Sequence, residues 1–529
     1  MTRAGLPRVV SGGLWLSLVT LTSSGAAFLT SIVLARVLGP DEFGPYATAF
    51  FAVSVAGALS ARGFPVALTR EIAALRARGD EAAASLRFHE AKRAARRGAA
   101  LATVLAAAAG LLLLLFYRPL ERPTLGLSLL LLSSAVPPLA AAAIRRADLS
   151  AREAYREIAI VTAIVSPLGF LLTVIAVGIG FGAYGAAAAA VLAATIAALL
   201  FDAARSARAG ETGVAAGAAG RGGGDAEFAR GARRCLGIQA IDMVVWQRSE
   251  ILFLSLLLPG SPEAGYYGAA YSLTVAAVAL VPGALGGALL PVVSAIRGEG
   301  GGERLTRAYV RSVKALVLLA FPIIAGGLVL ARPIVAAALG PAYEGPAAWP
   351  FRIALVGGAI GAIGAASSSL LYAVGGERFI LRMGIALAAA NVVLDLVLIP
   401  PFGAVGAAIA NTATQTLAVA IGTAWVAATV ARAFPRPSEI ARIAAAAALM
   451  AGLLLFLGPP GPGVVPLLGR IGAGAAAYGV LVLLMGALDP ADKVLAGEMF
   501  RRLRPRRPSK PVDRRAALNE EQEQEKVPT

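Results

Sequence analysis

Few residues in this chain can do chemistry in an apolar setting, and they fall in a small number of places. Only 15% of the residues are charged and 58% are hydrophobic. Yet the apolar stretch from Leu236 to Leu258 carries Gln239, Asp242, Arg248 and Glu250. An ionisable group in a bilayer core costs roughly 2.5–3.5 kcal/mol, so each is a functional candidate. On a regular helix Asp242 and Glu250 lie about 80° apart, while Arg248 points about 160° away from Glu250. One intrahelical cluster is therefore impossible. Arg248 must find a partner on another element or face a cavity, and Glu250 is a candidate counter-ion or proton carrier. Asn391 and Asp395 sit four residues apart on one helix face, as do Asn411 and Gln415. Such donors and acceptors suit sugar hydroxyls, although hydrogen bonds between helices are the commoner use.

Other chemistry is missing its parts. A lone Cys235 and a lone His89, far apart, make no metal-ligand cluster and no disulfide. No nucleophile motif or phosphate-binding loop occurs, and Arg221 to Asp225 (RGGGD) has the composition of a linker. No cofactor and no metal are expected. Asp41 and Glu42 look like a catalytic pair, but their loop is about five residues long and helix capping explains them more simply. An enzyme is not expected.

The elements that must position the candidates are membrane helices. Runs of roughly 20 apolar residues, enough to cross a bilayer core, recur along the chain, and mean hydropathy is +0.74. About fourteen are expected, from Gly12–Val37 to Val464–Ala487. The first resembles a leader, with Arg3 and Arg8 ahead of it and Ser24-Gly25-Ala26 like a cleavage site. It runs longer than a signal core and is read as a membrane helix. The net charge of +17 does not mark a nucleic-acid binder, because the basic residues form no single patch. They alternate instead: Arg70 to Arg97, Arg145 to Arg156 and Arg297 to Arg311 fill even-numbered gaps, while odd gaps such as GPDEF and PPFG are nearly free of them. By the positive-inside rule both termini lie in the cytoplasm. The segment Arg70–Arg97 is expected as an interfacial helix or a solvated helical connector.

The chain also repeats itself. Phe181-Gly182-Ala183-Tyr184-Gly185-Ala186-Ala187 matches Phe402-Gly403-Ala404-Val405-Gly406-Ala407-Ala408, and Gly44 and Tyr46 match Gly265 and Tyr267. Both matches share an offset of 221 residues. Each unit holds six spans, so the halves insert with the same orientation and are related by an axis along the membrane normal. The expected architecture is all-α: a six-helix lobe at 1–203, a cytoplasmic linker at 204–234, a second six-helix lobe at 235–432, two additional helices at 433–487, and a disordered, basic then acidic, tail at 488–529. Val281-Pro282-Gly283 is a candidate bend in a gating helix.

Three stretches resemble a known family. LARVLGPDEFGPYATAFF at the exit of the first span looks like the opening signature of the polysaccharide flippases, the Wzx-type branch of the multidrug/oligosaccharidyl-lipid/polysaccharide superfamily. NVVLDLVLIPPFGAVGAAIAN resembles its second signature, and Leu339-Gly340-Pro341-Ala342-Tyr343 the end of its ninth span. Drug/cation antiporters and lipid II flippases share the two-lobe plan. The chain departs from the family pattern at Ala61-Arg62-Gly63-Phe64 and at Asp395. The resemblance implies an undecaprenyl-pyrophosphate-linked oligosaccharide as substrate, moved between leaflets of a bacterial inner membrane, with membrane lipids and a polysaccharide polymerase or export machinery as partners. On that reading Arg248 meets the pyrophosphate, since a guanidinium matches phosphate oxygens in pairs; an internal salt bridge is the alternative. A drug or cation antiporter would want an acidic residue in the first lobe's spans, and Gly12–Val37 has none. Arg36, Arg332 and Arg352, near the outer ends of their spans, are expected to snorkel to headgroups, the alternative being the lining of an outer vestibule.

Overall fold

Apolar runs with no water beside them must satisfy their backbone internally, and a helix does so within one segment. The computed structural model describes residues 6–61, 64–116, 123–210, 235–237, 239–243, 247–283, 302–431 and 434–488, and no strand occurs among them. The helices are α1 (Leu6–Ser60), α2 (Phe64–Ala77), α3 (Glu81–Phe116), α4 (Thr124–Ser133), α5 (Val136–Ala151), α6 (Tyr155–Gly178) and α7 (Gly182–Gly210). There follow α8 (Glu250–Leu257), α9 (Glu263–Gly283), α10 (Gly302–Leu339), α11 (Pro341–Glu344), α12 (Ala348–Ala373), α13 (Glu377–Val426), α14 (Pro437–Phe456) and α15 (Val464–Leu484). Among the described residues nine helices are long and apolar enough to cross a membrane. Two of these are each a pair of helices joined at a sharp glycine, α1 at Gly39 and α13 at Gly403. The bent pair α4 and α5 passes the same test together. This arrangement is compatible with the fourteen spans expected. The polarity of the surface agrees: Phe456 is 88% exposed and Leu484 77%, whereas Glu250 is 0% exposed. Large apolar side chains that water would drive inward here face outward, as a lipid solvent allows.

The repeat is visible in the backbone. Gly39 and Gly260, 221 residues apart, both take positive φ (68° and 73°), and so do Gly182 and Gly403 (54° and 53°). The carboxylate of Glu263 accepts the Ala404 N–H at 2.6 Å, and its counterpart Glu42 lies beside Gly182. Gly44 and Gly265 touch each other: a Cβ on Gly44 would lie 2.6 Å from the Gly265 nitrogen. Equivalent residues of two copies meet only on the axis that relates them, so this contact marks the axis.

The halves are joined at the end that holds these turns. Thr48 and Ser255 hydroxyls lie 2.7 Å apart. Arg36 donates to the carbonyls of Ala337 and Ala338 in the last turn of α10, where a cation meets the negative end of the helix dipole. Arg36 is therefore a clamp between halves rather than a headgroup anchor. Arg352 likewise donates to the Leu328 carbonyl at 3.0 Å and stacks on Trp349; Arg332 is exposed.

At the opposite, arginine-rich end the expected boundaries shift. The span read as Phe43–Leu68 stops at Ser60, and Pro65, suited to a first turn, helps open α2. The stretch Arg70–Arg97 is neither one interfacial helix nor a solvated connector. Gly79, at φ 80°, turns the chain, Asp80 caps α3 by accepting the Ala83 N–H at 2.9 Å, and Leu68, Ile72, Phe88 and Ala91 bury against Ile144 and Ala147 of α5. The charges pair above this core. Asp148, 1% exposed, accepts from Arg76 at 3.1 Å, Arg152 at 3.2 Å and Arg205 at 3.1 Å, and the Arg205 guanidinium lies over Phe88. One carboxylate thus ties α2, α5 and α7 together. Asp148→Ala is expected to strand Arg152 and Arg205, leave Arg76 with Glu81 alone, and cost roughly 3–5 kcal/mol, read as a large fall in melting temperature in detergent; an unchanged melt would show the arginines to be solvated instead. His89 stacks edge-on against Phe88. The candidate bend at Val281-Pro282-Gly283 is helical to Gly283, where that described segment ends. Most of the expected linker, and the tail from residue 489 onward, lie outside the described residues.

Candidate functional site

Five of the seven candidate polar residues meet at one buried point in the second half. Glu250 opens α8, where the helix dipole favours a carboxylate. Tyr267, from α9, donates to its Oε2 at 2.8 Å. From the first part of α13, Asn391 Nδ2 donates to Glu250 Oε1 at 3.2 Å and to Asp395 Oδ2 at 2.9 Å. From the second part, beyond the Gly403 bend, Asn411 Nδ2 donates to Glu250 Oε1 at 2.8 Å and to the Gln247 carbonyl at 3.3 Å. Gln415 Nε2 donates to Asn411 Oδ1 at 2.8 Å. The two i,i+4 pairs thus form as their spacing predicts, and the bend at Gly403 folds one onto the other around Glu250.

All of these side chains are at most 5% exposed. Among the described residues, two oxygens, Asn391 Oδ1 and Asp395 Oδ1, are buried without a partner. A pair of carboxylates bridged by one amide calls for positive charge, and among the described residues no Lys or Arg is in salt-bridge contact with either. A proton or a small monovalent cation would supply that charge. No group of three or more His, Cys, Asp or Glu suited to a metal ion occurs among the described residues.

Asp242 and Arg248 stand apart from this cluster. Asp242 is exposed and its side chain pairs with Gln247. The seventh span is not the regular helix that the angular reading assumes, because residues 247–249 are non-helical. Arg248 and Glu250 still diverge: Glu250 turns into its own half, while Arg248 reaches the wall of a cavity of about 390 Å³ lined otherwise by the first half, among α1, α4, α5, α6 and α7. Among the described residues Arg248 donates one long hydrogen bond, 3.5 Å to Ser272. It makes no ion pair among the described residues, and it lines the cavity. Tyr267 is the cluster member that polar-residue counting missed. Its signal was its place in the repeat, opposite Tyr46, which lines the cavity.

A family model described as "Polysaccharide biosynthesis protein" matches residues 9–297. No curated protein matches the chain significantly. Among solved structures, the inward closed conformation of the lipid II flippase MurJ is similar at 14% identity and a TM-score of 0.65, covering 89% of this chain and 98% of that one. An inward-facing multidrug resistance MATE transporter of the MOP superfamily is similar at 15% identity and a TM-score of 0.62, covering 78% and 97%. An outward-facing one gives 17% and 0.53, covering 79% and 94%. At these identities the likeness establishes a shared fold.

Proposed function

The chain belongs to the polysaccharide biosynthesis protein family, and from that premise we propose that it moves an undecaprenyl-pyrophosphate-linked oligosaccharide across a bacterial inner membrane by alternating access. The observation that carries the reading is Arg248: among the described residues a guanidinium without a carboxylate partner, reaching from the second half to the wall of a cavity in the first. A buried cation is costly unless something anionic compensates it, and a pyrophosphate does so with oxygens that fit the guanidinium fork.

The arginine-rich end faces the cytoplasm, following the positive-inside rule, which puts the Gly44–Gly265 seal on the outer side. The pyrophosphate and sugars enter from the cytoplasm, meet Arg248, and leave outward when the halves rock about the axis. The polyprenyl chain stays in lipid. The Glu250–Asp395 cluster is the coupling site, taking up a proton or monovalent cation in one state and releasing it in the other. The sealed contacts must differ between those states for coupling to act.

The test is made in the host. Deleting the gene should cause a completed lipid-linked oligosaccharide to build up in the inner leaflet. Wild-type protein should clear it, Arg248→Ala should fail by at least tenfold, and Arg248→Lys should restore part of the activity because charge remains without the fork. Clearance by Arg248→Ala at the wild-type rate would remove Arg248 from the site.

A further inference from the structure

The repeat offset, carried from the turns into the helices, pairs the second half's polar residues with definite places in the first. Asn411 corresponds to Ala190, Gln415 to Ala194, Asn391 to Phe170, Tyr267 to Tyr46 and Arg248 to Ala27. In the second half the first four of these places make the cluster around Glu250. In the first half all five counterparts line the 390 Å³ cavity. Where one half has two amides, the other has two methyl groups and open space. Glu250, the centre of the closed cluster, corresponds to Leu29, which is 48% exposed and does not line the cavity, so the first half has neither the carboxylate nor the amides that close the second.

The lining says what fills it. Its walls are apolar and aromatic, with Tyr46 and Phe170 among them, and are studded with hydroxyls. Thr30 and Thr173 donate to carbonyls of their own helices, at 2.7 Å and 2.9 Å. Their oxygens therefore remain acceptors, with Ser31 and Ser166 adding further hydroxyls. Aromatic faces beside hydroxyl oxygens match a sugar ring, which has an apolar C–H face and an equatorial rim of O–H donors. A volume near the lower end of the small-ligand range suits a compact body and not a long polyprenyl chain. Arg248 fixes which body: whatever enters must be joined to the anion that the guanidinium holds.

We propose that the first-half cavity receives the sugar bonded directly to the pyrophosphate, and so selects which first sugar the transporter accepts. This rests on the flippase reading. The fixed anion and the shaped pocket then divide the work, Arg248 binding any polyprenyl pyrophosphate and the cavity discriminating among glycosylated ones.

Two probes separate these parts in a binding measurement on purified full-length protein: the lipid-linked oligosaccharide extracted from deletion cells, and bare undecaprenyl pyrophosphate prepared by phosphorylating undecaprenyl phosphate. Wild-type protein should bind the glycosylated probe at least tenfold more tightly. Ala190→Leu/Ala194→Leu, which fills the cavity, should bind both probes equally, with the bare lipid within about threefold of wild type. Phe170→Ala enlarges the cavity instead of crowding it, so it guards against a folding defect; it too should lose most of the preference. A retained tenfold preference in both variants overturns the proposal, as does a wild-type protein with no preference. Loss of bare-lipid affinity in both variants also overturns it, placing the pyrophosphate or the isoprenoid in the cavity. Wild-type protein that binds neither probe would instead sink the flippase reading itself.

Discussion

Glu250→Gln should slow transport by about two orders of magnitude and make it indifferent to proton and sodium gradients. The carboxylate of Glu250 is the acceptor for three donors from α9 and the two parts of α13, Tyr267 at 2.8 Å, Asn391 at 3.2 Å and Asn411 at 2.8 Å. A glutamine keeps the shape and one acceptor oxygen. It loses the negative charge that a proton or cation would neutralise, so a coupling site becomes a fixed neutral bridge. Glu250→Ala is the harsher change. It leaves three buried donors without an acceptor at about 1–3 kcal/mol each, and the protein should lose its melting transition along with its activity. The informative comparison is Glu250→Gln in proteoliposomes with and without an imposed gradient. Gradient-driven transport by that variant at near wild-type rates would make the cluster a structural brace and nothing more.

Gly265→Ala should break the seal between the halves. A Cβ there would lie 2.1 Å from the Pro40 carbonyl oxygen and 2.8 Å from the Pro40 carbonyl carbon. Both are backbone atoms, in the turn that Gly39 forms, and cannot swing aside as a side chain would. The axial contact must open. With cysteines at Thr48 and Ser255, whose hydroxyls are 2.7 Å apart, the closed seal should cross-link readily. Adding Gly265→Ala should reduce that yield at least tenfold and expose both cysteines to a water-soluble thiol reagent. The repeat predicts the same from Gly44→Ala, whose Cβ would lie 2.6 Å from the Gly265 nitrogen. Unchanged cross-linking in both would mean the glycines are incidental to the seal.

These two results touch features that were unequally legible in the sequence. The cluster was half visible. Polar residues four apart on apolar helices announce a shared face, and Asn391, Asp395, Asn411 and Gln415 do share one. That both pairs converge on Glu250 depends on the bend at Gly403, and no periodicity within a single helix gives an interhelical angle. The seventh span misled in a different way. Treating it as a regular helix separated Arg248 from Glu250 correctly, but the chain achieves the separation by leaving the helix at residues 247–249. Asp242 joined neither group because polarity alone does not say which side of a helix faces the neighbours. The cavity was not legible at all. It is made by Ala27, Ala190 and Ala194, in a chain where alanine is everywhere, and only the comparison of one half with the other turns those alanines into a missing cluster. The position of Arg36 near a span end fits a headgroup anchor. Its partners, the last carbonyls of α10, are about 300 residues away in sequence.

The axis contact, the closed polar cluster and the open cavity fit one account, in which two repeated halves carry different cargoes: a coupling charge in one and a glycosylated pyrophosphate between them. That account is tested most directly by sidedness. Purified protein is reconstituted into vesicles whose inner leaflet carries the lipid-linked oligosaccharide from deletion cells, and the sugars reached by an impermeant oxidant outside are followed in time. The account predicts protein-dependent exposure of the sugars, slowed at least tenfold by Arg248→Ala. Sugars that stay protected, in vesicles where the same protein moves a cationic dye along an imposed gradient, would contradict it and make the protein a drug or cation antiporter.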